Sequence, residues 1–323
     1  MPSSFSRCAP RAAKQAVDSS SRRCCPGNER SQMAVVTCFF NPCGYRAIAR
    51  NYQRFSQALQ AQGYPLSTIE CAFDDAPFTL ARSSNVLQAR TRDVMWHKEA
   101  LLNRVIAELP AHYDKVAWVD ADVLFSNRDW LRDAERLLDK YAVAQVFGEA
   151  VLLGRQHQPG EARYGVARVA AVNRRGARNL ARAHPGFGWA ARREILSRHG
   201  LFDSNIVGCG DGLMVYAMYG WWDHPFLVHY NAAMRRDFER WGRAFHQSVQ
   251  GRVGYVPGTI YHLWHGERSN RRYVERIRYL TDHDFDPTTD LAQDENGLWR
   301  WASDKPVMHA AVKNYFYLRQ EDQ

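Results

Sequence analysis

Two aspartates, Asp120 and Asp122, stand where an apolar run, 115–119, gives way to the segment reaching Phe125. In a strand, residues i and i+2 project to the same side, so two carboxylates at a strand end can approach one ligand. Hard oxygen ligands suit Mg²⁺ or Mn²⁺. A cation held there can bridge diphosphate oxygens and neutralise the charge that builds on a departing nucleoside diphosphate. Two acids in a solvated turn need no such cation. The apolar lead-in favours the metal, because burying two acids together without a counter-charge is costly.

A second acid, Asp211, lies in Gly208-Cys209-Gly210-Asp211-Gly212, ahead of the helix-like residues Leu213, Met214, Tyr216 and Ala217. A carboxylate is favoured at a helix start. It could act there as an N-cap or as a general base that takes a proton from an acceptor hydroxyl; the residues alone leave both open. His262 and His265, three apart, could each supply a nitrogen ligand or sit as ordinary hydrogen-bonded histidines. The glycines at 186 and 188 permit close backbone approach to a ligand. Trp189, Trp221 and Trp222 offer rings on which an apolar sugar face can stack, although such rings serve equally as core.

The elements that must position these groups alternate in type. Apolar runs at 35–40, 67–73, 116–125 and 143–147 read as strands, and 253–264 as a later one. Spacings of three and four predict helices over 47–59, 94–109, 130–138, 232–249 and 268–280. Strands separated by helices of this length predict an α/β fold with a mostly parallel, doubly wound sheet. Right-handed crossovers then gather the strand C-termini on one edge, where ligands bind. Residues 148–185 carry Arg, Gly and Pro with little periodicity and predict an irregular loop region.

Of the net charge of +9, residues 1–32 contribute +4 and the remainder +5. A mild positive excess suits a diphosphate donor, an anionic acceptor or a membrane surface. The first 32 residues are Arg- and Ser-rich with no hydrophobic periodicity, as a targeting tail or an overextended start would be. No run of about 18 apolar residues occurs, so no membrane-spanning helix is expected. None of the seven cysteines forms a Cys-x-x-Cys set, so a zinc site is not expected, and a reducing, cytoplasmic setting is the default, peripheral membrane contact included. Basic clustering with an aromatic RNA-binding motif is absent, so nucleic acid is not an expected partner.

In their order along the chain these pieces resemble the GT-A glycosyltransferases, most closely the β-1,4-galactosyltransferase family. The matching segments are Phe39-Phe40-Asn41-Pro42, then Trp96-His97-Lys98-Glu99-Ala100-Leu101-Leu102-Asn103, then Asp120-Ala121-Asp122. Gly186-Phe187-Gly188-Trp189, Gly208-Cys209-Gly210-Asp211 and Trp264-His265-Gly266 follow. The resemblance spans about residues 34–280 and implies a Rossmann-like GT-A domain over 33–281. Residues 282–323 match none of its segments and are expected as a C-terminal, largely helical extension packed on the domain. It further implies Asp122 and His265 as metal ligands with Asp120 beside them, and Asp211 as the base of an inverting reaction. Lys98 falls near the donor diphosphate, Phe40 and Asn41 in the nucleotide region, and Gly188 and Trp189 in the acceptor segment. Gly210 stands where the family has an acid, and Gly212 and Leu213 where acids follow, a departure in the acceptor-recognising region.

The expected activity is a Mn²⁺- or Mg²⁺-dependent, hexosyltransferase-like transfer from a nucleoside-diphosphate sugar, a UDP-sugar first, to the hydroxyl of a carbohydrate or other acceptor. A retaining GT-A transferase and a nucleic-acid-binding or -modifying protein are the alternatives.

Overall fold

A computed structural model describes residues 33–172 and 183–323. The tail expected over residues 1–32 lies outside the described residues. The chain begins with β1 (Met33–Phe40), α1 (Arg46–Ala61), β2 (Leu66–Phe73), β3 (Val86–Thr91), α2 (Lys98–Glu108), β4 (Lys115–Val119) and β5 (Val123–Phe125). It continues through α3 (Trp130–Leu137), β6 (Val143–Gln145), β7 (Glu149–Leu153), β8 (Pro159–Gly165) and α4 (Val166–Val172). Beyond residue 182 come β9 (Ala183–His184), β10 (Gly188–Arg192), α5 (Arg193–His199), α6 (Gly210–Tyr219), α7 (Ala232–Val249), β11 (Val253–Tyr255) and β12 (Thr259–His262). The remainder holds α8 (Glu275–Thr281), α9 (Pro287–Asp290), β13 (Leu291–Gln293), β14 (Trp299–Trp301) and α10 (Pro306–Leu318). Short 3-10 turns occupy Pro225–His229 and Arg268–Arg271.

The main sheet has seven strands in the order β3-β2-β1-β4-β10-β6-β11. Its neighbours are parallel except for β10, which runs antiparallel to both β4 and β6. β1, with the sequence MAVVTCFF, is apolar along nearly its whole length, as a strand covered on both faces must be. Its alternation divides the core. Met33 and Val35 pack with Phe55 and Leu59 of α1 and with Trp130 and Leu131 of α3. Ala34 and Val36 face the other way, toward Leu101, Val105 and Ile106 of α2.

A second sheet, in the order β5-β12-β7-β8-β9, leans against the edge where the site lies. Here the structure corrects the expected elements. Residues 116–125 are two strands: β4 belongs to the main sheet, and after Asp120 to Asp122 the chain enters β5 of the second sheet. Residues 253–264 divide in the same way, β11 from β12, across Pro257 and Gly258, the latter at φ 138°. Periodicity shows extended backbone but not a change of sheet within it. Residues 148–172, expected as loop, form β7, β8 and α4, and β9 follows at 183. β7 pairs on one side with β8, close along the chain, and on the other with β12, more than a hundred residues away, and the distant pairing draws residues without local signal into a sheet. β3, unpredicted, extends the sheet beyond β2. The helices expected from 94 and from 268 start later, at Lys98 and Glu275, each after irregular backbone.

Residues 282–323 lie on the body of the molecule. Phe316 of α10 meets Phe40 and Trp96, with ring centroids 6.4 and 6.3 Å away. The Tyr45 hydroxyl donates to the Phe316 carbonyl at 3.0 Å. No helix among the described residues is long and apolar enough to cross a membrane.

The helix expected over 232–249 forms with those limits, because Asn231 starts it: its Oδ1 accepts from the Met234 amide at 2.9 Å, while its Nδ2 donates to the Phe285 carbonyl at 2.8 Å. Asn231→Ala is expected to cost about 1–2 kcal/mol, read as a lower urea midpoint with an unchanged m-value.

Candidate active site

The C-terminal ends of β1 and β4 open into a cavity of about 780 Å³. Its wall includes Phe40, Asn41, Lys98, Asp120, Asp122, Asp211, His262 and His265, so most of the sequence-predicted site residues share one space. Such an edge is where open α/β sheets bind ligands.

Asp122, His262 and His265 form one group. Asp122 Oδ2 lies 2.9 Å from His265 Nε2 and 3.6 Å from His262 Nε2, and the two Nε2 atoms are 3.2 Å apart. The change of sheet brings them together: Asp122 sits between β4 and β5, and its carbonyl accepts from the Leu263 amide at 2.7 Å. Each side chain keeps between 12 and 19% of its surface exposed, enough to be reached from the cavity. Burial pushes the Asp122 carboxyl up, but the two imidazoles and Arg271 outweigh it and hold the group below the usual carboxylate range. Burial pushes His262 down to about 4, against the opposing pull of Asp122, and leaves its imidazole neutral at neutral pH. His265 is raised: burial and Arg271 disfavour its imidazolium, while Asp122 and Glu321 more than offset them.

The residues fit a divalent cation. All three donor atoms lie within 4.8 Å of one another, and they are the one such group among the described residues. Asp122 Oδ1 is buried with no hydrogen-bond partner, an orphaned acceptor that a cation would satisfy. Behind the group, Glu321 Oε1 lies 3.3 Å from His265 Nδ1 and takes an ion pair from Arg271 at 2.5 Å and another from Arg319. Arg271 Nη2 lies nearer the same ring, 2.8 Å from His265 Nδ1 and 3.1 Å from Nε2, so the guanidinium and the Glu321 carboxylate together position the imidazole. Sequence spacing could not have found Glu321, which lies 56 residues beyond His265.

Asp120, expected beside the metal, stands outside that group. Its Oδ1 is 2.6 Å from Lys98 Nζ, whose ammonium also reaches Asp211 Oδ2 at 3.0 Å. The ammonium supplies the counter-charge that a cation was expected to supply for Asp120. Burial opposes the charge on Lys98, but Asp120 and Asp211 outweigh it and keep it protonated far above neutral pH. Asp211 is the second residue of α6, with Cys209 at the cap position, so it is not the N-cap and its carboxylate is free to pair with Lys98. Burial raises its carboxyl and Asp120 adds to that, while Lys98 opposes.

Glycines make this arrangement possible. A Cβ on Gly186 would lie 3.1 Å from Asp211 Oδ2, and one on Gly210 would run into the buried carboxyl of Glu99. Phe187 and Cys209 both adopt φ 77°, uncommon for side-chain-bearing residues and concentrated here at the cavity wall. Phe187 stacks on His184 at 3.8 Å. On the opposite wall Phe40 meets Trp96 edge-on at 5.4 Å, with Asn41 turned back to bond Tyr45 through both side-chain atoms.

The acceptor-side tryptophans are corrected. Trp189 is fully buried, its ring in the core and its Nε1 bonded to the Pro185 carbonyl at 2.7 Å, so it has no face for a sugar. Gly188 is locked into the antiparallel ladder opposite Val119. Trp221 and Trp222 pack on the core outside the cavity wall.

No protein-family model and no curated protein sequence matches the chain. Among solved structures, it is similar to the catalytic domain of Drosophila β1,4-galactosyltransferase 7 in complex with xylobiose. That match has 13% identity and a TM-score of 0.37, covering 85% of this chain and 98% of that one. The galactosyltransferase LgtC with donor and acceptor sugar analogues overlaps at 12% identity and TM-score 0.33, over 76% and 94% of the two chains. The 4-diphosphocytidyl-2C-methyl-D-erythritol synthase of Anaerococcus prevotii overlaps at 7% identity and TM-score 0.33, over 70% and 88%. Likenesses this loose transfer no residue role and no substrate.

Glu99 carries a pH prediction. Burial, with Asp211 adding and Lys98 opposing, pushes its carboxyl from 4.5 up to about 8. Between those values the folded chain keeps a proton that the unfolded chain has released, so this group's contribution to stability falls as pH rises through the window. Urea unfolding at pH 5, 6.5 and 8 is expected to show a smaller decline for Glu99→Gln than for the wild type.

Proposed function

We propose that this chain is a glycosyltransferase that moves a sugar from a nucleoside-diphosphate donor to an acceptor hydroxyl, with inversion at the anomeric carbon. The observation that carries the reading is the contact between Asp122 and His265, with His262 alongside, in the same cavity as the Lys98–Asp211 pair. The order of motifs that resembles the β-1,4-galactosyltransferases supports it independently of any superposition.

Asp122, His262 and His265 would hold a divalent cation, which when bound supplies neutralising charge to the donor diphosphate. Two imidazoles beside one carboxylate favour Mn²⁺ over Mg²⁺, which prefers an all-oxygen shell. Lys98 adds a fixed positive charge on the cavity floor and needs no rearrangement to provide it. Its grip on Asp211 Oδ2 orients the carboxylate, and the acceptor proton is taken on Oδ1. Desolvation of Asp211 raises its basicity toward the range in which general bases operate. Phe40, Trp96 and Phe316 supply an apolar, aromatic wall against which the nucleotide base can lie.

A thermal-shift screen of nucleoside-diphosphate sugars, UDP-sugars first, with and without Mn²⁺, tests the donor class. One donor should stabilise the chain only when the metal is present. Asp122→Ala should abolish that metal-dependent stabilisation. Asp211→Asn should retain it and lower kcat by about 10²–10⁴-fold. Unchanged turnover in Asp211→Asn removes it as base, and a product of retained anomeric configuration overturns the inverting course.

A further inference from the structure

Arg276, in the first turn of α8, is 4% exposed. Its Nη1 donates to the Tyr315 hydroxyl at 2.6 Å and its Nη2 to Cys209 Sγ at 2.7 Å. Its guanidinium carbon stands 4.9 Å from the Tyr273 ring centroid. Among the described residues no carboxylate pairs with it, and its Nε is buried with no hydrogen-bond partner. The other buried cations around the cavity are all paired: Lys98 with Asp120 and Asp211, Arg271 and Arg319 with Glu321. The Asp211 carboxylate feels the charge of Arg276 without forming an ion pair, and the direct partners, a phenol and a thiol, are weak compensation for a buried charge.

The position of Arg276 decides which ligand it meets. It lines the cavity beside Cys209, two residues before Asp211, and a Cβ on Gly208 would lie 3.3 Å from its guanidinium. Gly208 and Cys209 both hold positive φ, which brings this backbone against the arginine. It therefore flanks the carboxylate read above as the base, where an acceptor must lie. The Nε and Nη2 atoms form the edge of a guanidinium that grips a carboxylate or phosphate through two parallel bonds. Here one of those donors is unbonded and the other meets only a thiol, which can swing aside.

We propose that Arg276 is an anion-binding residue of the acceptor subsite, and that the acceptor carries a carboxylate or phosphate group. The naming of the ligand as acceptor rests on the transferase reading; the anion site does not.

The test uses the full chain and isothermal titration with four probes: glucuronate, glucose, inorganic phosphate, and UDP with Mn²⁺. The wild type should bind glucuronate and phosphate more tightly than glucose. Arg276→Gln should weaken both anions about tenfold or more, the effect of losing a charge-assisted pair, while UDP with Mn²⁺ binds as before. Arg276→Lys, which keeps the charge but not the two-pronged edge, should fall between and serves if the glutamine variant does not fold. The proposal is overturned if the wild type binds neither anion. It is also overturned if the variants leave both anions unaffected, which makes Arg276 a tether for Tyr315, or if they weaken UDP alone, which assigns the charge to the donor. Anion binding that depends on Arg276 in a chain that binds no nucleotide leaves this site standing and removes the transferase reading.

Discussion

The ammonium of Lys98 is the constraint around which the cavity is organised. It is buried, carried by the first residue of α2, and shared between Asp120 from the end of β4 and Asp211 from the start of α6. Without it, two carboxylates would face each other across a poorly solvated floor, and one would have to protonate or the elements would have to part. With it, the helix that packs on one face of the main sheet is tied electrostatically to the edge where β4 ends. The neighbouring Glu99 carboxyl fills the space left by Gly210, so the same helix turn supplies both the cation and the buried acid behind Asp211.

Charge compensation also explains the second half of the site. Asp122 has two imidazoles in front of it and an orphaned oxygen, and His265 has Glu321 behind it. Glu321 is in turn held by Arg271 and Arg319. The segment 306–321 therefore does two things at once. Phe316 closes the aromatic wall against Phe40 and Trp96, and Glu321, with the Arg271 it pairs, borders an imidazole of the candidate metal group. The C-terminal segment thus becomes part of the cavity wall.

The sheet changes place these groups. A strand that ran straight through residues 115–125 would carry Asp120 and Asp122 along one ladder with equivalent surroundings. The break after β4 sends Asp120 toward α2 and Asp122 toward β12, so two acids two residues apart meet different counter-charges. Of the two aspartates, Asp122 alone belongs to the group that could hold a cation, and Lys98 is the physical reason Asp120 does not.

The chain's own order of residues determined the alternation of strand and helix, the bounds of the helix at 232–249, and the choice of Asp122, Asp211, Lys98 and His265, which the fold brings to one cavity. These were legible because apolar periodicity is local and because charged residues beside apolar runs or between glycines demand explanation. Only the tertiary structure decided the strands of 148–172, the exchange of Asp120 for His262 in the three-residue group, the burial of Trp189, and the surroundings of Glu99, Arg276 and Glu321. Most of those depend on a partner far away along the chain. A buried charge is stable only beside its complement, and which complement it meets is set by packing, which spacing along the chain does not encode.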